Sequence, residues 1–147
     1  MHAAASRRMF AEDTAHLTAK FAAARGWTLH EVEFPRIDCC FAGPHKRSIR
    51  LRLWCDDWND QPPSIEILDP DGSPVSKPLV DPNSVFNQGP HPVTLRPFIC
   101  TRGSREYHTH QSHGNDLWEN VKDDRGKYGL GGILSGLWDA WIDLREG

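Results

Sequence analysis

The segment from residue 49 to residue 55 restricts the possible folds of this chain more than any other. Every second residue from Ile49 to Cys55 is apolar, and the three positions between them hold two arginines and a tryptophan. Side chains two residues apart point to the same face of a β-strand. The alternation therefore predicts a strand that buries one face and leaves the other accessible.

Three neighbouring segments have the composition of strands. Residues 28–34 and 37–42 are rich in β-branched and aromatic residues, with Pro35 between them and Gly43-Pro44 at the end. Residues 64–68 follow Pro62-Pro63 and precede Asp69-Pro-Asp-Gly72, a sequence typical of a turn. Together with residues 49–55, these segments predict an antiparallel β-meander of about four strands.

Segments with helical periodicity lie on both sides of the meander. Apolar residues recur at helical spacing over residues 10–24, with Gly26 placed to cap the helix, and again over residues 130–144. Residues 73–97 contain six prolines and no sustained periodicity, which indicates an ordered loop. We therefore expect an α+β fold: an N-terminal helix, the meander, a long loop and a C-terminal helix, forming a single domain over residues 1–147 with residues 1–8 flexible.

Length and charge exclude several classes of function. With 147 residues, of which 38% are hydrophobic, the chain can bury one core. Its 17 basic and 20 acidic residues give a net charge of −3 without long runs of one sign, which argues against a general binder of nucleic acids or membrane surfaces. No apolar run is long enough to span a bilayer, and the first residues lack the apolar middle of a secretion signal. We expect a cytoplasmic protein.

The densest group of chemically active side chains lies between residues 100 and 113. It consists of one thiol, one carboxylate and three imidazoles: Cys100, Glu106, His108, His110 and His113. If residues 105–110 are extended, Glu106, His108 and His110 project from the same face. Cys100 and His113 could then reach the same ion from adjacent segments. Thiolate, imidazole and carboxylate ligands together suit Zn²⁺.

Each of these residues also has an ordinary structural interpretation. Histidines on a polar loop are usually only solvated, and a single cysteine after Phe98-Ile99 is usually a small buried apolar residue. The four cysteines lack the CxxC spacing, so free thiols are expected rather than a disulfide framework. Of Cys39 and Cys40, one is expected in the core, and no role follows for His2, His16, His30 or His45.

The order of motifs along residues 9–144 resembles the ubiquitin-conjugating enzyme family. In that family a Pro-Pro pair introduces the third strand, a His-Pro-Asn motif precedes an Ile-Cys-Leu catalytic segment, and a tryptophan follows before the closing helices. The matching positions here are Pro62-Pro63, His91-Pro92, Ile99-Cys100 and Trp118. Two positions depart from the family pattern: Val93 replaces the asparagine that supports the oxyanion, and the interval from Cys100 to Trp118 is longer and contains the Glu/His cluster.

A smaller group is similar in this second respect. Bacterial operons for ubiquitin-like modification often encode a predicted metal-binding protein with a Cys, Glu, His, His set. Cys100, Glu106, His108 and His110 occur here in that order. The resemblance implies a zinc-binding component with a conjugating-enzyme-like fold, whose partners are a ubiquitin-like protein and its activating or conjugating enzyme.

Two further hypotheses remain open. In one, Cys100 forms a thioester with the ubiquitin-like protein, and His108 or His110 lowers its pKa or activates the incoming amine. A zinc-bound thiolate is usually a poorer nucleophile, so the two roles of Cys100 compete. In the other, the His-x-His pair belongs to a small cupin-like metalloenzyme, but the helices on both sides do not suit a barrel.

Overall fold

The computed structural model describes residues 1–44 and 46–145 and has the α+β architecture expected from the sequence. Three residues lie outside the described ranges: His45, to which the sequence assigned no role, and Glu146 and Gly147, the last two residues of the predicted domain. A four-stranded antiparallel sheet has the order β1-β2-β3-β4. Its strands are β1 (Trp27–Glu33), β2 (Arg36–Gly43), β3 (Lys46–Trp54) and β4 (Ser64–Leu68).

Strand β3 confirms the interpretation of the alternating pattern. Its register pairs Leu51 with Cys39 of β2 and with Ile67 of β4, and all three side chains are buried. On the opposite face, Arg50 and Arg52 donate hydrogen bonds to the Asp38 carboxylate. Burial alone would raise the pKa of Asp38, but these two guanidinium groups outweigh it and lower that pKa.

The N-terminal helical region differs from the single helix predicted over residues 10–24. It forms two helices, α1 (Ala3–Thr14) and α2 (Ala19–Arg25). The break has a local cause, because the Thr18 hydroxyl accepts a hydrogen bond from Phe21 N and so begins a second helix. Helix α1 also starts within residues 1–8, which were expected to be flexible. Gly26 ends α2 with φ +78°, as its position in the sequence predicts.

The C-terminal helix covers the inner face of the sheet. Helix α5 (Leu130–Ile142) buries the apolar stripe that its spacing predicts. Trp138 and Trp141 meet Phe41 of β2, with ring centroids 5.2 and 6.1 Å from that of Phe41. Leu144 lies beyond the end of the helix and is half-buried against the core. The core therefore lies between the sheet and this helix.

The long loop and the segment after it position the candidate site. Two short strands, β5 (Phe86–Asn87) and β6 (Phe98–Ile99), pair with each other. Strand β5 lies in the proline-rich loop, and β6 directly precedes Cys100. They are followed by helix α3 (Arg105–Thr109), two single 3-10 turns at Gln111–His113 and Trp118–Asn120, and helix α4 (Arg125–Tyr128).

All four cysteines are free, and Cys39 is the buried member of its pair, as expected. None of the helices in residues 1–44 and 46–145 combines the length and the apolar character needed to cross a bilayer.

Candidate functional site

Cys100 follows directly after β6 at a partly accessible position. Its backbone N–H donates a hydrogen bond to Val85 O at 2.7 Å, which ties the residue to the segment before β5. The side chain is half-buried, and this burial raises the pKa of the Cys100 thiol. At neutral pH the isolated thiol is therefore protonated, and a neighbouring base is required to make it nucleophilic.

The predicted extended conformation of residues 105–110 is wrong. Arg105–Thr109 forms helix α3, whose N-cap is the buried Ser104: its hydroxyl accepts a hydrogen bond from Tyr107 N at 3.1 Å. A serine N-cap followed by an acidic residue in the first turn is a helix-start signal that the interpretation as a strand overlooked. In a helix, residues two apart do not share a face, so Glu106, His108 and His110 project in different directions.

Glu106 is directed into the protein, toward β4. The residue is 6% exposed, and its two carboxylate oxygens accept hydrogen bonds from Ile65 N at 2.7 Å and Ser64 Oγ at 2.6 Å. These bonds connect helix α3 to the first residues of the edge strand β4. The carboxylate has a structural role in this arrangement.

His108 links two loops through both of its ring nitrogens. Nδ1 lies 2.8 Å from Asp116 O, and Nε2 lies 2.7 Å from Arg102 O. A carbonyl oxygen can only accept, so a neutral imidazole can donate to one of the two at a time and an imidazolium to both. Both nitrogens are directed at backbone atoms, so neither is free to bind a metal as the side chain stands.

His110 caps the 3-10 turn that follows it. Its Nδ1 accepts hydrogen bonds from Ser112 N at 3.2 Å and Ser112 Oγ at 2.6 Å, and its ring stacks on Phe98. The accepting role of Nδ1 assigns the ring proton of the neutral form to Nε2. The ring centroids of His110 and His113 are 5.8 Å apart.

His113 is the imidazole that meets the thiol. Its Nε2 lies 3.7 Å from Cys100 Sγ, and its ring stacks on Tyr107 with centroids 3.9 Å apart and an angle of 13° between the planes. Of the five predicted site residues, Cys100 and His113 are in direct contact, and the ring of His110 lies beside that of His113. In the two described ranges, no three His, Cys, Asp or Glu side chains lie close enough together to hold a metal ion.

The structure adds His91 to the site as a fully buried support. Its Nδ1 accepts hydrogen bonds from Val93 N at 3.1 Å and Thr94 N at 3.3 Å, and its Nε2–H donates to Glu106 O at 2.8 Å. The His91-Pro92 motif was visible in the sequence. No spacing rule indicates that this histidine would fix the loop to helix α3, fifteen residues further along the chain.

Tyr107 and Asp116 also belong to the site, and the sequence did not single them out. The Tyr107 hydroxyl and Arg102 Nε both donate to Asp116 Oδ2, at 2.6 and 2.7 Å. These two bonds lower the pKa of Asp116, whereas burial, followed by the Asp116 bond, raises the pKa of Tyr107. At neutral pH Asp116 is therefore a carboxylate and Tyr107 a neutral phenol.

Comparison with known proteins assigns the chain to no family. Neither a protein-family model nor a curated protein matches its sequence.

Proposed function

We propose that the protein is a conjugating-enzyme-like component of a ubiquitin-like modification pathway, in which Cys100 carries the ubiquitin-like protein as a thioester. The observation that carries this proposal is the contact between Cys100 Sγ and His113 Nε2 at 3.7 Å. A thiol and an imidazole in contact at a partly accessible position form the combination that activates cysteine nucleophiles.

The course of the chain supports the same proposal. A helical N-terminal region, a four-stranded antiparallel sheet and a closing helix occur in the order expected of the conjugating-enzyme family. Cys100 lies at the end of β6, after the buried His91 of the His-Pro pair, and the buried Trp118 follows it. These are the positions on which the resemblance depends.

The chemical step is a transfer between two thiols. The Cys100 sulfur attacks the carbonyl carbon of a thioester that joins the ubiquitin-like protein to its activating enzyme. The new C–S bond forms first and gives a tetrahedral oxyanion, while the Cys100 proton passes to His113. The old C–S bond then breaks as the carbonyl re-forms, and His113 gives the proton to the departing thiolate. His113 can accept this proton at Nε2 only in the tautomer that carries its hydrogen on Nδ1.

Because valine replaces the family's asparagine at position 93, another residue has to stabilise the oxyanion, and His113 can do so. Val93, which occupies the position of the family's asparagine, is 72% exposed and has no side-chain donor. His113, once protonated, is a donor adjacent to the thiol. We infer that it stabilises the oxyanion that develops during transfer.

Formation of an adduct on Cys100 tests this function. Incubation with the ubiquitin-like protein, its activating enzyme and ATP is expected to give a higher-mass species that a reducing agent removes. Cys100→Ala should abolish this species, since the acceptor sulfur is lost. Cys40→Ala is the matched control, because Cys40 is also a half-buried free thiol, and it should leave adduct formation unchanged. If no adduct forms with an activating enzyme that is itself charged, the proposal is refuted.

Zinc binding is the second candidate function, and one distance favours it. Zn–S and Zn–N bonds of about 2.3 and 2.0 Å at a tetrahedral angle separate the sulfur and nitrogen by about 3.5 Å. Cys100 Sγ and His113 Nε2 are 3.7 Å apart. His110 is the additional imidazole beside this pair. Of the predicted ligands, Glu106 and His108 do not fit, because their side-chain atoms are engaged with β4 and with two carbonyl groups.

Metal analysis of the purified protein tests this candidate. If this second function holds, the protein contains about one zinc per chain, and His113→Ala should lose it because one of the paired ligands is removed. His108→Ala is the comparison variant and should retain the metal. Loss of zinc from His108→Ala but not from His113→Ala would instead favour the set predicted from the sequence, and zinc-free wild-type protein would exclude a resident zinc ion.

A further inference from the structure

Cys100 and His113 belong to separate segments, so their contact has to be maintained by other residues. Cys100 follows β6, whereas His113 ends the three-residue 3-10 turn Gln111–His113. Thirteen residues separate them in the sequence. A turn this short does not by itself fix the direction of an imidazole at its end.

Tyr107 covers one face of the His113 ring. The two rings are nearly parallel, at 13°, with centroids 3.9 Å apart. A stacked aromatic neighbour restricts rotation of the imidazole and leaves its edge, with Nε2, directed at Cys100 Sγ. The orientation of His113 therefore depends on where the Tyr107 ring is held.

The Tyr107 ring is held at both ends. Its backbone N–H is bonded to the Ser104 cap at the start of α3, and its hydroxyl donates to Asp116 Oδ2 at 2.6 Å. Asp116 N in turn donates to His113 O at 3.0 Å. The phenol thus joins helix α3 to the same segment that carries His113, and Arg102 Nε fixes the Asp116 carboxylate at 2.7 Å.

His108 reinforces the same connection from the next position of α3. Its ring lies between Arg102 O and Asp116 O, at 2.7 and 2.8 Å. The segment after Cys100 and the segment after His113 are therefore tied together by side chains from α3 and by the ion pair of Arg102 with Asp116.

We propose that Tyr107, anchored by Asp116, is a positioning residue that holds His113 within reach of Cys100. It acts on the thiol only through the imidazole. This inference rests on the proposed role of Cys100 as a nucleophile and adds the residues that align its base. Alignment of this kind is worth a large factor in rate, since a displacement of about 1 Å can cost about 100-fold.

The rate at which Cys100 reacts with iodoacetamide tests this inference without any partner protein. The rate is followed for the separate cysteine-containing peptides by mass spectrometry at constant pH. Tyr107→Leu removes the stacked ring, and we expect it to slow the reaction of Cys100 by about 10- to 100-fold, the same reduction that we expect for His113→Ala. Tyr107→Phe keeps the ring and loses only the hydroxyl bond, so its rate should lie between those of wild type and Tyr107→Leu.

A double variant distinguishes positioning from a general structural effect. If Tyr107 acts through the imidazole, Tyr107→Leu should have no further effect in the His113→Ala background. The buried Cys39 and Cys55 serve as internal controls, because they react only if the fold opens. If Tyr107→Leu exposes them, Asp116→Ala replaces it as the test variant, because it removes the acceptor of the Tyr107 hydroxyl bond, and its rate should resemble that of Tyr107→Phe.

Two results would overturn the inference. One is a folded variant that lacks the Tyr107 ring or its Asp116 anchor and whose Cys100 still reacts with iodoacetamide within about twofold of the wild-type rate. The other is an equal loss of rate with and without His113. Neither depends on the adduct experiment, so failure of thioester formation and failure of the positioning role can be told apart.

Discussion

His91→Ala is expected to lower the free energy of unfolding by about 2–4 kcal/mol, from lost packing and from backbone groups left without partners. The imidazole is fully buried and packs against Phe98, with ring centroids 5.1 Å apart. Its Nδ1 organises the turn at Val93 and Thr94, and its Nε2–H donates to Glu106 O. Removing it should therefore loosen the loop before β6 and the start of helix α3 together.

Urea unfolding measures this effect as a lower midpoint with an unchanged slope. His91→Asn and His91→Gln should each restore part of the stability lost in His91→Ala. The asparagine oxygen can replace Nδ1 as an acceptor, and the glutamine amide can replace Nε2–H as a donor. Each should be less destabilising than alanine. His30→Ala, at an exposed position of β1, is the matched control and should change stability by less than about 0.5 kcal/mol. A His91→Ala protein as stable as the control would contradict the structural role of this histidine.

Glu106→Ala is expected to cost about 2–3 kcal/mol, because it leaves Ile65 N–H and the Ser64 hydroxyl without their acceptor. Both bonds join α3 to the edge strand β4, and Glu106 as a residue is 6% exposed.

Glu106→Gln separates the structural role from metal binding. The glutamine oxygen can still accept from Ile65 N–H, so the loss of stability should fall to about 1 kcal/mol. If Glu106 were a zinc ligand, the same variant would lose metal while keeping most of its stability. Chemical unfolding and metal analysis of the one variant decide between these roles: zinc loss with little loss of stability would contradict our assignment.

In the candidate site, the structure brings together some of the residues that the sequence grouped and separates others. The sequence identified Cys100 and His113, which meet in the structure. It also grouped Glu106, His108 and His110 on one face, and this was wrong. That grouping required residues 105–110 to be extended, whereas residues 105–109 form a helix that begins at the Ser104 cap.

Other parts of the site had no signal in the sequence. The hydrogen bond from His91 to Glu106 O spans fifteen residues, and the bonds from Glu106 to Ser64 and Ile65 span more than forty. Whether an acidic or imidazole side chain binds an ion or a backbone group depends on what lies opposite it. Composition and spacing cannot supply that information.

The sequence by itself determined the α+β class, the four strands of the sheet, the two helical ends and the separation between buried and accessible faces of β3. Each of these follows from the periodicity of apolar residues, a local property that a strand or helix expresses directly. The tertiary structure alone decided that Cys100 meets His113, that Glu106 is directed toward β4, and that Tyr107 stacks on the imidazole. These contacts depend on the paths of the loops after β4 and β6, and distant side chains meet only once the packing of the whole domain has fixed those paths.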